Sequence, residues 1–185
     1  MSHGDADRQA LVDAFVRTGA LRFGHFTLAS GRTSPYYVDA KRAITEPDVL
    51  RAIAKAMAPF AAGADRIAGV ELGAVPIAAA VALESGKPYL MVRKQPKEHG
   101  TRGGFEGALN PGDRVLFVED VVTTGGTLVA AIERLRAGGA VVEDAAVIVD
   151  RREGGGEALA AIGVRLHALL NADDLLAASK PGTQG

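Results

Sequence analysis

The sequence predicts an α/β domain, a doubly wound and mainly parallel sheet behind a small N-terminal cap. Three observations carry this. Residues 66–70, 89–92, 114–118 and 141–149 are continuous apolar runs, not alternating ones, which suits parallel strands covered on both faces. Helical stretches at 76–85 and 126–137 separate some of these runs, giving the βαβα rhythm of such sheets. With 185 residues, 48% of them hydrophobic, and 23 glycines, the chain can bury one core and turn tightly between elements. A single domain over 1–185 is expected: helix and cap elements over about 1–45, the α/β core over about 46–179, and a tail over 180–185.

The elements follow in order. Over residues 6–18, Leu11 pairs with Phe15 and Val12 with Val16, the i,i+4 face of an amphipathic helix that Gly19 stops. Residues 23–28 and 36–38 read as short strands around a polar turn at 30–35. Thr45 stands three residues before Asp48, a capping-box spacing, and opens a helix carrying Leu50, Ile53, Met57 and Phe60. The parallel strands and their helices come next. The helix at 126–137 buries Leu128, Ile132 and Leu135 and stops at Gly138 and Gly139. A strand near 164–169 and a helix near 172–178 complete the alternation. One segment breaks the rhythm. Residues 93–112 have no periodicity, several glycines and mostly positive charge, and a loop of that length inside a compact domain is usually functional or disordered.

Composition removes several classes of function. A net charge of -1 argues against bulk nucleic-acid binding and membrane-surface attraction. The absence of cysteine excludes disulfides, thiolate catalysis and cysteine-ligated zinc. His3, His25, His99 and His167 have no metal-ligand spacing, so no protein metal site is expected. The polar N-terminus is no signal peptide, and the longest apolar run, 74–83, contains Pro76 and is too short to span a bilayer. A soluble, cytoplasmic protein is expected, with neither nucleic acid nor membrane as partner.

The chemistry concentrates after the third apolar run, in Glu119-Asp120-Val121-Val122-Thr123-Thr124-Gly125-Gly126-Thr127. A strand running through acids into a hydroxyl- and glycine-rich turn that opens a helix is how α/β sheets present a phosphate site. Helix N-terminal amides are unpaired donors, threonine hydroxyls add more, and glycines let backbone approach phosphate oxygens. Glu119 and Asp120 cannot both face inward as ions unless their charge is shared. Ribose hydroxyls and a nearby Mg²⁺ would each do so. No Gly-x4-Gly-Lys-[Ser/Thr] is present, and no Gly-x-Gly-x-x-Gly follows a strand, which weighs against NTP hydrolysis and a dinucleotide fold.

The stretch 115–127 resembles the phosphoribosyl pyrophosphate (PRPP) signature of the type I phosphoribosyltransferases. Residues 26–39, with Ser30-Gly31-Arg32, the segment Arg93-Lys94-x-x-Lys97-x-His99, and Asp150-Arg151 resemble the orotate phosphoribosyltransferases in order and spacing. The resemblance covers nearly the whole chain. It implies transfer of ribose 5-phosphate from PRPP to orotate in de novo pyrimidine biosynthesis, giving orotidine 5′-monophosphate and pyrophosphate. Mg²⁺ would be bound mainly through PRPP oxygens.

The resemblance also implies roles. Glu119, Asp120, Val121, Val122, Thr123, Thr124, Gly125, Gly126 and Thr127 would hold ribose and its phosphate. Arg93, Lys94, Lys97 and His99 would hold pyrophosphate from a mobile loop that reaches the partner's site in a homodimer. Thr123 and Arg151 would contact orotate. Glu119, Asp120, Lys97 and His99 would serve the chemical step. Many members carry a lysine where this chain has Ala29, and some carry one in the loop that here reads Glu71-Leu72-Gly73-Ala74. Lys41 or Arg42 is expected to supply positive charge near the base instead. Tyr36 and Tyr37 could wall the base pocket or serve packing.

Overall fold

The computed structural model describes residues 3–27, 33–94 and 104–178, with backbone alone for 3–5. Helix α1 (His3–Arg17) leads into an antiparallel hairpin, β1 (Leu21–Thr27) and β2 (Thr33–Val38). Two helices follow, α2 (Ala40–Ile44) and α3 (Pro47–Met57), with a 3-10 turn at Ala58–Ala61. The core continues as β3 (Arg66–Val70), α4 (Ala74–Ser85), β4 (Tyr89–Val92), β5 (Phe105–Glu106), β6 (Arg114–Val122), α5 (Gly126–Ala137), β7 (Val141–Asp150), α6 (Gly155–Ala161), β8 (Arg165–Asn171) and α7 (Ala172–Ala177).

The core sheet runs β5-β4-β3-β6-β7-β8, and every pairing is parallel except that of β5 with β4. Its strands alternate between two cores. Ile67, Leu116, Val118, Ala146 and Ile148 face one, with α1, α3 and α4; Ala68, Phe117, Ala145 and Val147 face the other, with α5 and α6. Period-two alternation of apolar residues on both faces explains why the sequence runs are continuous. Helix α5 alone contributes Leu128, Ala131, Ile132 and Leu135 to its core. At about 1.5–3 kcal/mol for each large aliphatic side chain, that burial holds it on the sheet despite glycines at both ends.

The chain steps from β3 outward to β4, then returns to the other side of β3 to lay down β6. The carboxyl ends of β3 and β6 therefore flank the switch point of the sheet, where helices leave to opposite faces and open a crevice. Backbone bonds tie the loops there: Glu71 N–H to Val92 O at 2.8 Å, and Arg151 N–H to Val122 O at 3.0 Å.

Several local expectations change. Val16 is 43% exposed, so α1 buries Leu11, Val12 and Phe15 only. Thr45 does not cap α3. Its hydroxyl donates to Arg42 O, Glu46 is the N-cap with no side-chain bond, and Pro47 starts the helix with its fixed φ. Phe60 lies past the helix, stacked on His167 at 4.4 Å. The capping box is at Asn171 and Asp174 of α7. Strand β6 extends through both acids to Val122, and β2 takes in the second half of the expected turn at 30–35. Helices α2 and α6 and the two-residue β5 were not expected. No helix among the described residues is long and apolar enough to cross a membrane.

Candidate active site

The last residues of β6 and the first turn of α5 form the floor of the crevice. Glu119, Val121 and residues 122–128 line a shallow cavity of about 80 Å³. Larger hollows lie elsewhere, about 860 Å³ between α1 and α3 and about 270 Å³ at the amino ends of β6, β7 and β8. Size does not decide here; of these three, the small cavity is the one at the carboxyl ends of the parallel strands. Thr123, Thr124, Gly126 and Thr127 are exposed in it, while Val122 is buried and lends only backbone. No side chain caps α5, so its first amides stay available to an anion.

Gly125 shapes this turn. Its φ is +82°, and a Cβ there would come within 3.1 Å of Gly155 Cα and 3.2 Å of Ala158 Cβ in α6. A Cβ on Gly155 would in turn meet Val122 Cγ2 at 2.5 Å and Thr123 O at 2.7 Å. The turn before α5 and the first residue of α6 thus pack glycine to glycine.

The two acids differ. Glu119 is 8% exposed, and one carboxylate oxygen accepts the Asp120 N–H at 2.9 Å. Burial, and then the adjacent Asp120 charge, push its pKa up to about 8, against the partial relief of that N–H and of Lys41. Asp120 reaches into the gap between β3 and β6. Its Oδ2 lies 3.6 Å from Lys41 Nζ on α2, and 2.5 Å from where a Gly73 Cβ would stand. A side chain at 73 would require that carboxylate to shift. The Lys41 side chain is 62% exposed and that of Asp120 is 14% exposed, so the pair is worth at most about 1 kcal/mol and a charged ligand can replace it.

Just past the end of β7, the Arg151 side chain is 9% exposed and lies over the Tyr36 ring at 5.1 Å. Its Nε is 3.0 Å from Glu153 Oε1 but has no hydrogen bond of acceptable geometry. Asp150 accepts the Arg152 N–H at 2.8 Å. Burial raises the Tyr36 hydroxyl above its ordinary value, and the Arg151 charge opposes this. Tyr36 is in the core wall at 4% exposure; Tyr37 is partly exposed against Phe26.

Across the crevice, the Arg93 guanidinium is bound to Glu106 on β5 at 2.6 Å, and the Lys94 N–H donates to Glu71 at 2.9 Å. Lys97, His99 and the turn Ala29-Ser30-Gly31-Arg32 lie outside the described residues, as does the tail over 180–185. Of the two cations raised as substitutes, Lys41 stands at the acids, whereas Arg42 turns to Thr18 O and packs by Gly19. Sequence reasoning missed Gly73, Gly155 and Glu106. A glycine just past the first parallel strand was a usable signal for the first; a lone glutamate in an aperiodic loop offered none.

A family model of the phosphoribosyl transferase domain matches residues 42–163. The chain is 50% identical over 167 residues to the orotate phosphoribosyltransferase of Methanothermobacter thermautotrophicus, across 90% of this chain and 93% of that one. It superposes on the Aeropyrum pernix orotate phosphoribosyltransferase with a TM-score of 0.81 and 36% identity, covering 91% of this chain and 97% of that one. The Mycobacterium tuberculosis orotate phosphoribosyltransferase in complex with PRPP gives a TM-score of 0.75 at 34% identity, covering 91% and 98%. Sequence, fold and crevice agree, and the chain belongs to the orotate phosphoribosyltransferases of the phosphoribosyl transferase family.

Proposed function

We propose that this chain transfers ribose 5-phosphate from PRPP to orotate, giving orotidine 5′-monophosphate and pyrophosphate in pyrimidine synthesis. The observation that carries this reading is the uncapped amino end of α5 beside two strand-end acids, with Arg151 held over Tyr36 at the other wall. The 5-phosphate sits on the amides of the α5 turn and the hydroxyls of Thr123, Thr124 and Thr127, and Glu119 and Asp120 take the ribose hydroxyls. Arg151, held over Tyr36 and ion-paired through Nε with Glu153, takes the orotate anion together with Thr123.

The C1–O bond breaks with its electron pair on the departing diphosphate, the N1–C1 bond forms, and the N1 proton is released. The transition state is cationic at the ribose, so positioning and electrostatics dominate. Asp120 places negative charge beside that cation. Arg93, Lys94, Lys97 and His99 receive the negative leaving group, with Lys97 acting as a flexible point charge. Arg93 must then leave Glu106, an exchange of one anion for a more highly charged one.

Among the described residues, no three acidic or histidine side chains converge on a point. Mg²⁺ would draw most of its oxygens from PRPP, where it would neutralise diphosphate charge. We further propose a cytoplasmic homodimer whose basic loop completes the partner's site. Leu72 at 80% and Leu83 at 87% exposure, with Tyr89 and Met91 on one face of β4, support an apolar contact next to that loop. The test is pyrophosphate release from PRPP with orotate, uracil, adenine, hypoxanthine or xanthine, with and without Mg²⁺. Turnover with orotate alone, requiring Mg²⁺, is expected. Turnover with another base and none with orotate would overturn the assignment.

A further inference from the structure

We infer that Lys41, on the first turn after the hairpin, is a diphosphate-binding residue of this site; the inference rests on the PRPP reading above. PRPP carries anions at both ends of its ribose. If its 5-phosphate occupies the α5 turn and Glu119 and Asp120 hold the sugar, the diphosphate extends past the acids, away from α5. The described structure there is the loop 71–73, the start of α4 on the opposite face, and Lys41. Lys94 is anchored to the same loop, its N–H donating to Glu71.

The loop itself brings no cation, since it reads Glu71-Leu72-Gly73. Gly73 leaves a space that Lys41 fills from another element: Lys41 Cε stands 3.6 Å from where the Gly73 Cβ would be, and Nζ is 3.6 Å from Asp120 Oδ2. The ammonium is thus parked on the acid that the ribose will claim. When a hydroxyl takes that carboxylate, Lys41 is freed toward the diphosphate, a stronger partner carrying several negative charges. The helix amides of α4, which no side chain caps, open onto the same space.

Calorimetric titration of the full chain with PRPP, inorganic pyrophosphate and orotidine 5′-monophosphate, all with Mg²⁺, separates the roles. Lys41→Ala is expected to weaken PRPP and pyrophosphate by about tenfold or more, and orotidine 5′-monophosphate by less than about twofold. Lys41→Arg should hold near wild type, and Lys41→Met controls for loss of the stem. Thermal melting checks that the variants are folded. Unchanged PRPP affinity would overturn the inference. So would equal weakening of PRPP and orotidine 5′-monophosphate, which would mean that Lys41 acts only by holding Asp120. Wild-type protein that binds PRPP but makes no orotidine 5′-monophosphate would defeat the orotate reading and leave the Lys41 measurement intact.

Discussion

Replacing Glu119 with glutamine should make the protein relatively more stable as pH rises. Glu119 is 8% exposed beside Asp120, and its pKa is pushed from 4.5 to about 8 in the folded chain. Between those values the folded state holds a proton that the unfolded state has lost. Stability that is fully present below about pH 4.5 therefore drains away as pH climbs toward 8 and levels off above it. At about 1.4 kcal/mol per pH unit the window sets a ceiling near 5 kcal/mol, which water entry and movement of Lys41 should lower. Glutamine keeps the shape of the protonated acid and cannot ionise. Urea unfolding of both proteins at intervals from pH 5 to pH 9 gives the difference in stability directly. It should favour Glu119→Gln increasingly from pH 5 to about pH 8 and then level off. A flat difference, or one that favours wild type as pH rises, would refute a buried, proton-holding glutamate.

Three further outcomes are expected. Gly125→Ala forces a side chain into φ +82° against Gly155; it should lose about 1–3 kcal/mol in urea unfolding and raise the KM for PRPP, and an unshifted unfolding curve would count against the packing described. Arg151→Gln should raise the KM for orotate about tenfold or more with little change for PRPP, so an equal loss for both substrates would remove Arg151 from the base site. Co-expressed Lys97→Ala and Asp120→Asn chains should regain about a quarter of wild-type activity, because half of random dimers are mixed and each mixed dimer holds one complete site. Mixed dimers that stay as inactive as either parent would refute a loop acting in trans.

The sheet was legible because its strands are buried on both faces. Unbroken apolar runs such as 67–70 and 115–118 are too short for a core helix and leave no polar face for water. Helix α6 escaped notice for the converse reason: it buries little beyond Leu159 and begins Gly155-Gly156, a pattern read as turn. Thr45 illustrates a local signal overridden by a neighbour, since Pro47 starts α3 without needing a cap. At the site, the β6–α5 stretch is contiguous in sequence, and so could be read in one pass. The Lys41–Asp120–Gly73 cluster joins three elements that only the switch-point topology brings together. A spacing rule cannot see across that crossing.

The glycine-to-glycine contact between Gly125 and Gly155 works as a fixed gauge. The turn assigned to the phosphate and the loop bearing Arg151 are interlocked through Val122 and Thr123, so neither can slide without the other. The span between the proposed phosphate and base positions is then a property of the scaffold and not of the ligand. A change in base preference has to come from side chains mounted on that scaffold, at Arg151, Thr123 or Tyr36. An insertion between 151 and 155 meant to widen the base end would also spoil the phosphate end.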